Sequence, residues 1–433
     1  MLTAGFCGLS QASELYLAPN GDDRWSGTLE APNASATDGP LATLEAAKLR
    51  VRDLLNAGTD SPFTALIRGG VYLLGETVVF TTKDSGTEES LVTYRAFESE
   101  SPVFSGGKKL TGWRKASDYP TGTPHKTKGN LWYCDVSQPP AGNWKVTSLY
   151  NGTAMLKRSQ SGAFHASEKQ FVDKWNVQPK KMRLSSLGYH SGDRVSFNRE
   201  LHFTGTDLRD WENLSDIEIL ISPRNGWLVN YLPLKTIDTS KKCATYGIDS
   251  TYTIMPHDKY VVENAIDHLD QAGEWVFNSW ENRVYLWPTG DPNQMDIRAP
   301  YLQEFIRLEG VEDAEPVRFI RLEGITFRHG LRDTWQKGDR GLQHDWEMYD
   351  KGNAILRIRH AEDCSAKRCV FEASSGTGVR LDLHCHRIAV EDSVFAHLGG
   401  TGILLSGYAP GTTDENANNS VTNNYLHHIG TIY

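Results

Sequence analysis

The feature that most constrains the fold is a repeat of 24 residues near the end of the chain. Phe371 and Phe395 occupy the same place in two copies, and so do Val379 and Ile403, since 395 − 371 = 24 and 403 − 379 = 24. A fixed period of about 20–50 residues indicates a repeat architecture. Within each copy, short runs alternate apolar and polar residues and are broken by Gly, Ser or Asn. This pattern is typical of short strands joined by sharp turns.

The repeats predict an all-β fold, a parallel β-helix (solenoid) in which each coil stacks on the one before. A leucine-rich repeat is the competing architecture, but the copies lack its Leu-x-x-Leu-x-Leu spacing. Near the N-terminus, apolar residues recur at helical spacing from Leu44 to Leu55, and Thr43 can cap their start. We therefore predict an N-terminal capping helix that covers the open end of the stack.

Changes along the chain divide it into four segments. Residues 1–13 resemble the remnant of a signal peptide, because apolar residues precede small ones, although no positively charged region comes first. Residues 14–115 contain the cap and the first coils. Residues 116–300 have longer strands and hairpin signals, which predict an inserted antiparallel β-rich domain. Residues 301–433 return to coils, and because no C-terminal cap is visible we expect a C-terminally truncated sequence.

Composition excludes several classes of protein. The net charge of −9 argues against a nucleic-acid partner, which requires a basic face. No run of about 18 apolar residues occurs, so no membrane span is predicted. The six cysteines form no Cys-x-x-Cys pair, and His384 and His386 lack a third ligand at suitable spacing. We predict no metal site, no cofactor and no particular oligomeric state.

Two polar stretches supply the candidate catalytic carboxyl groups, Asp345 with Glu347 and, later, Asp382. Stacked coils place equivalent positions about 4.8 Å apart, so carboxylates from neighbouring coils can converge on one face. Glycoside hydrolysis needs such a pair, one group as the acid and the other as nucleophile or base. Asp382 alternates with Leu381 and Leu383, so it points away from the coil interior. A solvated face residue is the alternative reading for each of these groups.

Polar and aromatic side chains near these carboxyl groups are the predicted substrate contacts. Imidazole and guanidinium groups can bond sugar hydroxyls, and flat aromatic faces suit sugar rings. Asp414, in a loop added between two copies, could equally cap a turn. The predicted substrate-binding residues are His344, Trp346, Arg380, His384, Tyr408 and Asp414.

Motifs spread over most of the chain also carry a family resemblance. They are Tyr16-Leu17-Ala18-Pro19-Asn20-Gly21-Asp22-Asp23, Trp25-Ser26-Gly27, Thr37-Asp38-Gly39-Pro40-Leu41-Ala42-Thr43-Leu44, Arg68-Gly69-Gly70-Val71-Tyr72, and the stretches 341–350, 380–384 and 399–411. They resemble bacterial right-handed parallel β-helix proteins related to glycoside hydrolase family 141. The resemblance implies an exported enzyme that acts on complex plant or algal polysaccharides, with fucosidase and xylanase activities in the family.

The sequence thus predicts a secreted or periplasmic glycoside hydrolase that binds a polysaccharide or oligosaccharide and cleaves it with a carboxylate pair. Two alternatives stay open. A polysaccharide lyase on the same fold would need a Lys or Arg base and usually a Ca²⁺-binding carboxylate cluster. A carbohydrate-binding or structural β-helix would need no catalytic residues at all.

Overall fold

A computed structural model describes residues 13–58, 61–137, 144–168, 198–223, 229–333, 351–407 and 416–433. Contacts between Cα atoms divide the chain into two units. The first unit is made of Met1–Gly107, Leu302–Arg332 and Met348–Ile432, and the second consists mainly of Lys108–Tyr301. The second unit is therefore an insertion in the sequence of the first. Within the described residues, no helix has the length and apolar character needed to span a membrane.

The first unit is a stack of coils whose strands form four parallel sheets. The first sheet contains Ser13–Leu17, Phe63–Ile67, Val92–Ala96, Ile320–Glu323, Ser365–Lys367, Ala389–Glu391 and Ser420–Thr422. The second sheet contains Gly70–Leu73, Pro102–Ser105, Thr326–Arg328, Val370–Ser374, Val394–Leu398 and Tyr425–His427. The third sheet contains Val78–Phe80, Ile306–Glu309, Ala354–Arg359, Thr377–Leu381 and Ile403–Leu405. The fourth sheet contains Val317–Arg318, Ala361–Glu362, Cys385–His386 and Asn416–Ala417.

In every one of these sheets the strands follow one another in chain order and pair in parallel, as Ser13–Leu17 does with Phe63–Ile67 and Ile306–Glu309 does with Ala354–Arg359. Each successive coil thus lays a strand beside that of the coil before. The predicted parallel β-helix is confirmed.

Equivalent positions of the sequence repeat pair with one another on neighbouring coils, so the repeat sets the register of the stack. Phe371 pairs with Phe327 on one side and Phe395 on the other, and the ring centroids lie 4.9 Å and 4.8 Å apart. Val379 likewise pairs with Ile403. All five side chains except Ile403 are fully buried, so each coil adds one aromatic and one aliphatic residue to a continuous interior.

The predicted capping helix is also confirmed and spans Leu44–Asn56. The hydroxyl of Thr43 accepts a hydrogen bond from the backbone N–H of Ala46 at 3.1 Å, which satisfies one of the free donors at the helix start. Its apolar side chains enter the interior of the coils. A short 3₁₀ helix, Thr82–Asp84, follows in the next coil.

The second unit is built from antiparallel sheets, as the hairpin signals predicted. One sheet contains Ala154–Met155, Tyr150–Asn151 and Ile297–Pro300. A second contains Phe164–His165, Lys259–Glu263, Glu218–Ile221, Asn230–Asp238, Cys243–Tyr246 and Glu200–His202. A third contains Trp275–Asn278, Arg283–Leu286, Trp132–Asp135 and Arg114–Lys115. The 3₁₀ helices Leu214–Asp216 and Ile266–His268 complete the regular structure described for this unit.

Candidate functional site

Buried charged residues collect on the third sheet of the β-helix. Arg357 and Arg380 are in register on neighbouring strands. They alternate with core residues such as Ile358 and Val379, so their side chains leave the opposite side of the sheet. Both are nevertheless buried, with exposed fractions of 4% and 0%. Two guanidinium groups in such a place require carboxylate partners, because an unpaired buried charge is very costly.

Asp382 supplies one of these partners. It follows the strand that carries Arg380, and its backbone N–H donates to the carbonyl of Ile358 at 2.7 Å. Its carboxylate accepts hydrogen bonds from Nε and Nη2 of Arg357 at 3.0 Å and 2.8 Å, and Nε of Arg380 lies 3.3 Å away. The side chain is completely buried. Asp382 is therefore not a solvated residue of the outer face, which was the alternative reading of its position.

Arg380 links three successive coils. Its Nη1 donates to Oδ1 of Asn353 at 2.9 Å, and its Nη2 donates to Oγ of Ser406 at 3.0 Å. Asn353 precedes the strand of Arg357, and Ser406 follows the next strand of the same sheet. Both polar partners are buried. The guanidinium is thus held from both sides in a fixed orientation.

The second carboxyl group of this cluster is Glu304, a residue that the sequence analysis missed. It is 7% exposed, and its Oε2 lies 3.8 Å from Nη1 of Arg357 while its Oε1 lies 3.3 Å from Nη1 of Arg307. Burial raises the pKa of the Glu304 carboxyl, and this effect exceeds the opposing attraction of the two arginines. The only sign of Glu304 in the sequence was its position directly before the strand at which the coils resume. The alternation of apolar and polar residues does not single it out as a site residue.

Glu304 and Asp382 therefore contact the same guanidinium but lie in different environments. Glu304 keeps its proton to a higher pH than an ordinary glutamate, while Asp382 is hydrogen-bonded to two arginines. Two carboxyl groups with contrasting environments are the arrangement by which one fold provides both an acid and a base. We call Glu304, Arg357, Arg380 and Asp382 the carboxyl–arginine cluster.

His384 does not join this cluster, although its position two residues after Asp382 would place both side chains on one face of a regular strand. Its backbone has a φ of 52°, and such a left-handed residue interrupts the alternation of side chains along a strand. Its Nε2 lies 3.2 Å from Oε1 of Glu362, on the fourth sheet, and its ring is 4.2 Å from that of His386. Of the predicted residues on this stretch, the structure brings together Arg380 and Asp382 only.

The other predicted site residues lie outside the described part of the chain and stay predictions. They are His344, Asp345, Trp346, Glu347, Tyr408 and Asp414.

A surface cavity opens elsewhere on the β-helix, on the first sheet. Tyr16, Arg95, Phe97, Glu323 and Arg368 are among the residues that line it. The carboxylate of Glu323 already accepts a hydrogen bond from Nη2 of Arg368 at 2.8 Å, and the bond is exposed. We favour the carboxyl–arginine cluster as the chemical site, because shifted pKa values and buried charges are typical of active sites.

No family model matches the sequence, and no curated protein matches it. Among solved structures, one described as "Glycoside hydrolase" is similar with a TM-score of 0.71 and 20% identity, over 97% of this chain and 74% of that one. This similarity shows a shared fold. The structures described as "The complex structure of XylC with xylose" and "Rhamnogalacturonan lyase" give TM-scores of 0.30 and 0.29 at 11% and 9% identity. They align with 95% and 96% of this chain and with 66% and 62% of their own. TM-scores this low carry no argument.

Proposed function

We propose that this protein is a carbohydrate-active enzyme, a glycoside hydrolase that cleaves complex plant or algal polysaccharides. The observation that carries the proposal is the pair of buried carboxyl groups on one guanidinium, Glu304 with a pKa raised by burial and Asp382 paired with Arg357. The fold shared with a structure described as "Glycoside hydrolase" is consistent with it. The family 141 resemblance supports the substrate class, and the apolar N-terminus supports secretion or a periplasmic location.

In this proposal Glu304 is the general acid. A glycosidic bond breaks when its leaving oxygen receives a proton while the anomeric carbon gains positive charge. A carboxyl group with a raised pKa keeps its proton to a higher pH than an ordinary glutamate and can donate that proton. Asp382 is the second carboxylate, which attacks the anomeric carbon or accepts a proton from the water that does so. Arg357 holds both groups in place.

Release of reducing sugar from a panel of plant and algal glycans tests this function. We expect the wild-type chain to release sugar, and Glu304→Gln and Asp382→Asn each to abolish release while the chain still folds. Glu309→Gln is the matched control, because Glu309 is ion-paired with Arg307 and Arg359 on the same sheet but is more exposed. Unchanged release by Asp382→Asn or Glu304→Gln would contradict these assignments.

The complete burial of Asp382 favours a second candidate, a carbohydrate-binding β-helix in which the cluster only stabilises the coils. Glycan binding without any product, in wild type and variants alike, would support that function. A polysaccharide lyase would instead release unsaturated, ultraviolet-absorbing products in a chelator-sensitive reaction. The same panel therefore separates the three functions.

A further inference from the structure

Three groups of side chains among the described residues bring enough ligand atoms together for a metal ion. They are Glu200, His202 and Cys243; Glu362, His384 and His386; and His397, His427 and His428. In the second group, Glu362 already pairs with Nη2 of Arg318 at 2.9 Å and Nη2 of Arg387 at 3.1 Å. Two neighbouring positive charges oppose the binding of a cation there. The third group contains only imidazoles and carries no such cost.

The third group is formed by two successive coils of the second sheet. Ala396 pairs with His427, so His397 and His428 occupy equivalent positions one step further along. Their backbones have φ values of 53° and 50°, and their rings stack with centroids 4.7 Å apart. We call His397, His427 and His428 the histidine triad.

The left-handed backbone of His428 explains how two adjacent residues reach the same point. Side chains of consecutive residues in a strand point to opposite faces, but a left-handed residue breaks that alternation. Nδ1 of His427 accordingly lies 2.8 Å from Nδ1 of His428. One ligand nitrogen from each of the three rings lies within 4.8 Å of the other two. Two rings alone could not supply three ligands to one side of a metal ion, whereas these three rings can.

We propose that the histidine triad binds one Zn²⁺ ion through three imidazole nitrogens and leaves a fourth position open to water. Imidazole suits zinc and the later first-row transition metals, whereas Ca²⁺ and Mg²⁺ require oxygen ligands. Zn–N bonds of about 2.0–2.1 Å place tetrahedral ligand nitrogens about 3.4 Å apart. His397 and His428 are exposed, so small rotations of their rings bring the nitrogens to that spacing.

Such an ion would connect the strands Val394–Leu398 and Tyr425–His427. Because the ion binds the folded coils and not an unfolded chain, it stabilises them by mass action. The site is on the second sheet, whereas the carboxyl–arginine cluster is on the third, so the inference does not depend on the proposed function.

Calorimetric titration of the tag-free chain with Zn²⁺ tests the site, with Co²⁺ absorption as a second readout of tetrahedral coordination. The variants are His397→Asn, His427→Ala and His428→Asn, since asparagine tolerates a positive φ and keeps the backbone unchanged. The controls are His384→Asn, which also has a positive φ, and His202→Ala, one for each of the other groups. Thermal unfolding without metal checks that every variant folds like the wild type.

We expect each triad variant to lose one equivalent of bound Zn²⁺, the tetrahedral Co²⁺ spectrum and the zinc-dependent rise in Tm. Both controls should keep all three. The proposal is overturned if the triad variants bind Zn²⁺ as the wild type does. It is equally overturned if the bound equivalent disappears only in His384→Asn or His202→Ala.

Discussion

Arg357 is the residue on which the carboxyl–arginine cluster depends. It donates to Asp382 and lies near Glu304, while its own side chain is almost fully buried. A buried ion pair gains little over an apolar replacement, but removal of one partner leaves an uncompensated charge. The three residues therefore act as one electrostatic unit, and its loss should be visible in stability as well as in activity.

Replacement of Arg357 by Ala should lower the free energy of unfolding by about 3–5 kcal/mol, because it removes one of the two guanidinium groups that pair with the buried Asp382 carboxylate. Labelling of the Cys385 thiol during urea denaturation measures this locally, since Cys385 is fully buried and contacts the carbonyl of Ile358. Arg24→Ala is the control: its ion pair with Asp22 is exposed, and we expect no measurable change. An Arg357→Ala curve that overlays the wild type would contradict this role.

The raised pKa of Glu304 predicts a specific dependence of stability on pH. The folded protein holds this proton more tightly than the unfolded chain does, so the contribution is complete below the unfolded pKa. It is lost as the pH rises through the folded pKa. The wild type should therefore lose stability relative to Glu304→Gln as the pH rises above about 4.3, the ordinary glutamate value. Tm measured against pH for both proteins checks this, and parallel curves would refute it.

At the scale of the elements, the β-helix is held together mainly by contacts between its stacked strands. Phenylalanine rings of three successive coils stack on one another, and Phe371 is in the middle of that column. Neighbouring coils are also joined by asparagine side chains: Oδ1 of Asn419 accepts from the N–H of Ile388 at 2.8 Å, and its Nδ2 donates to the carbonyl of Cys385 at 2.7 Å. Stability therefore comes from interfaces between adjacent coils, as expected of a solenoid.

Phe371→Ala should destabilise the coils by about 3–5 kcal/mol, because it leaves a cavity between two rings. Phe371→Leu retains most of the volume and should cost less than about 1.5 kcal/mol. Labelling of the nearby buried Cys369 thiol in urea reports both values. Equal losses in the two variants would mean that the stacked column does not determine the stability of these coils.

For the whole molecule, the sequence was informative wherever a local pattern determines the structure. The 24-residue spacing predicted which phenylalanines stack, and Thr43 predicted the start of the capping helix. It failed for Glu304, because this carboxyl lies near Arg357 only in the stacked coils, while the two residues are far apart in the sequence. It also failed for His384, because nothing in the local pattern indicated the positive φ that turns it away from Asp382.

Thiol reactivity gives a test of the fold of both units at once. Burial raises the pKa of Cys364 to about 12 and the pKa values of Cys134 and Cys369 to about 11, so these thiols are protonated as well as covered. With an aromatic disulfide at neutral pH, mapped by mass spectrometry, these three should label only on unfolding. Among the cysteines that the structure describes, Cys243 is partly exposed and should label first. Rapid native labelling of Cys364 would contradict the coil packing.

The most direct test of the proposed hydrolase mechanism uses the choice of leaving group to separate the role of Glu304 from that of Asp382. The phenolate of an aryl glycoside made from an acidic phenol leaves without being protonated. A sugar leaving group has to be protonated as it leaves. With the sugar that the glycan panel identifies, Glu304→Gln should lose activity on the polysaccharide but retain it on the aryl glycoside, and Asp382→Asn should lose both. Equal loss of both substrates in Glu304→Gln, or activity retained in Asp382→Asn, would contradict a hydrolase built on this pair.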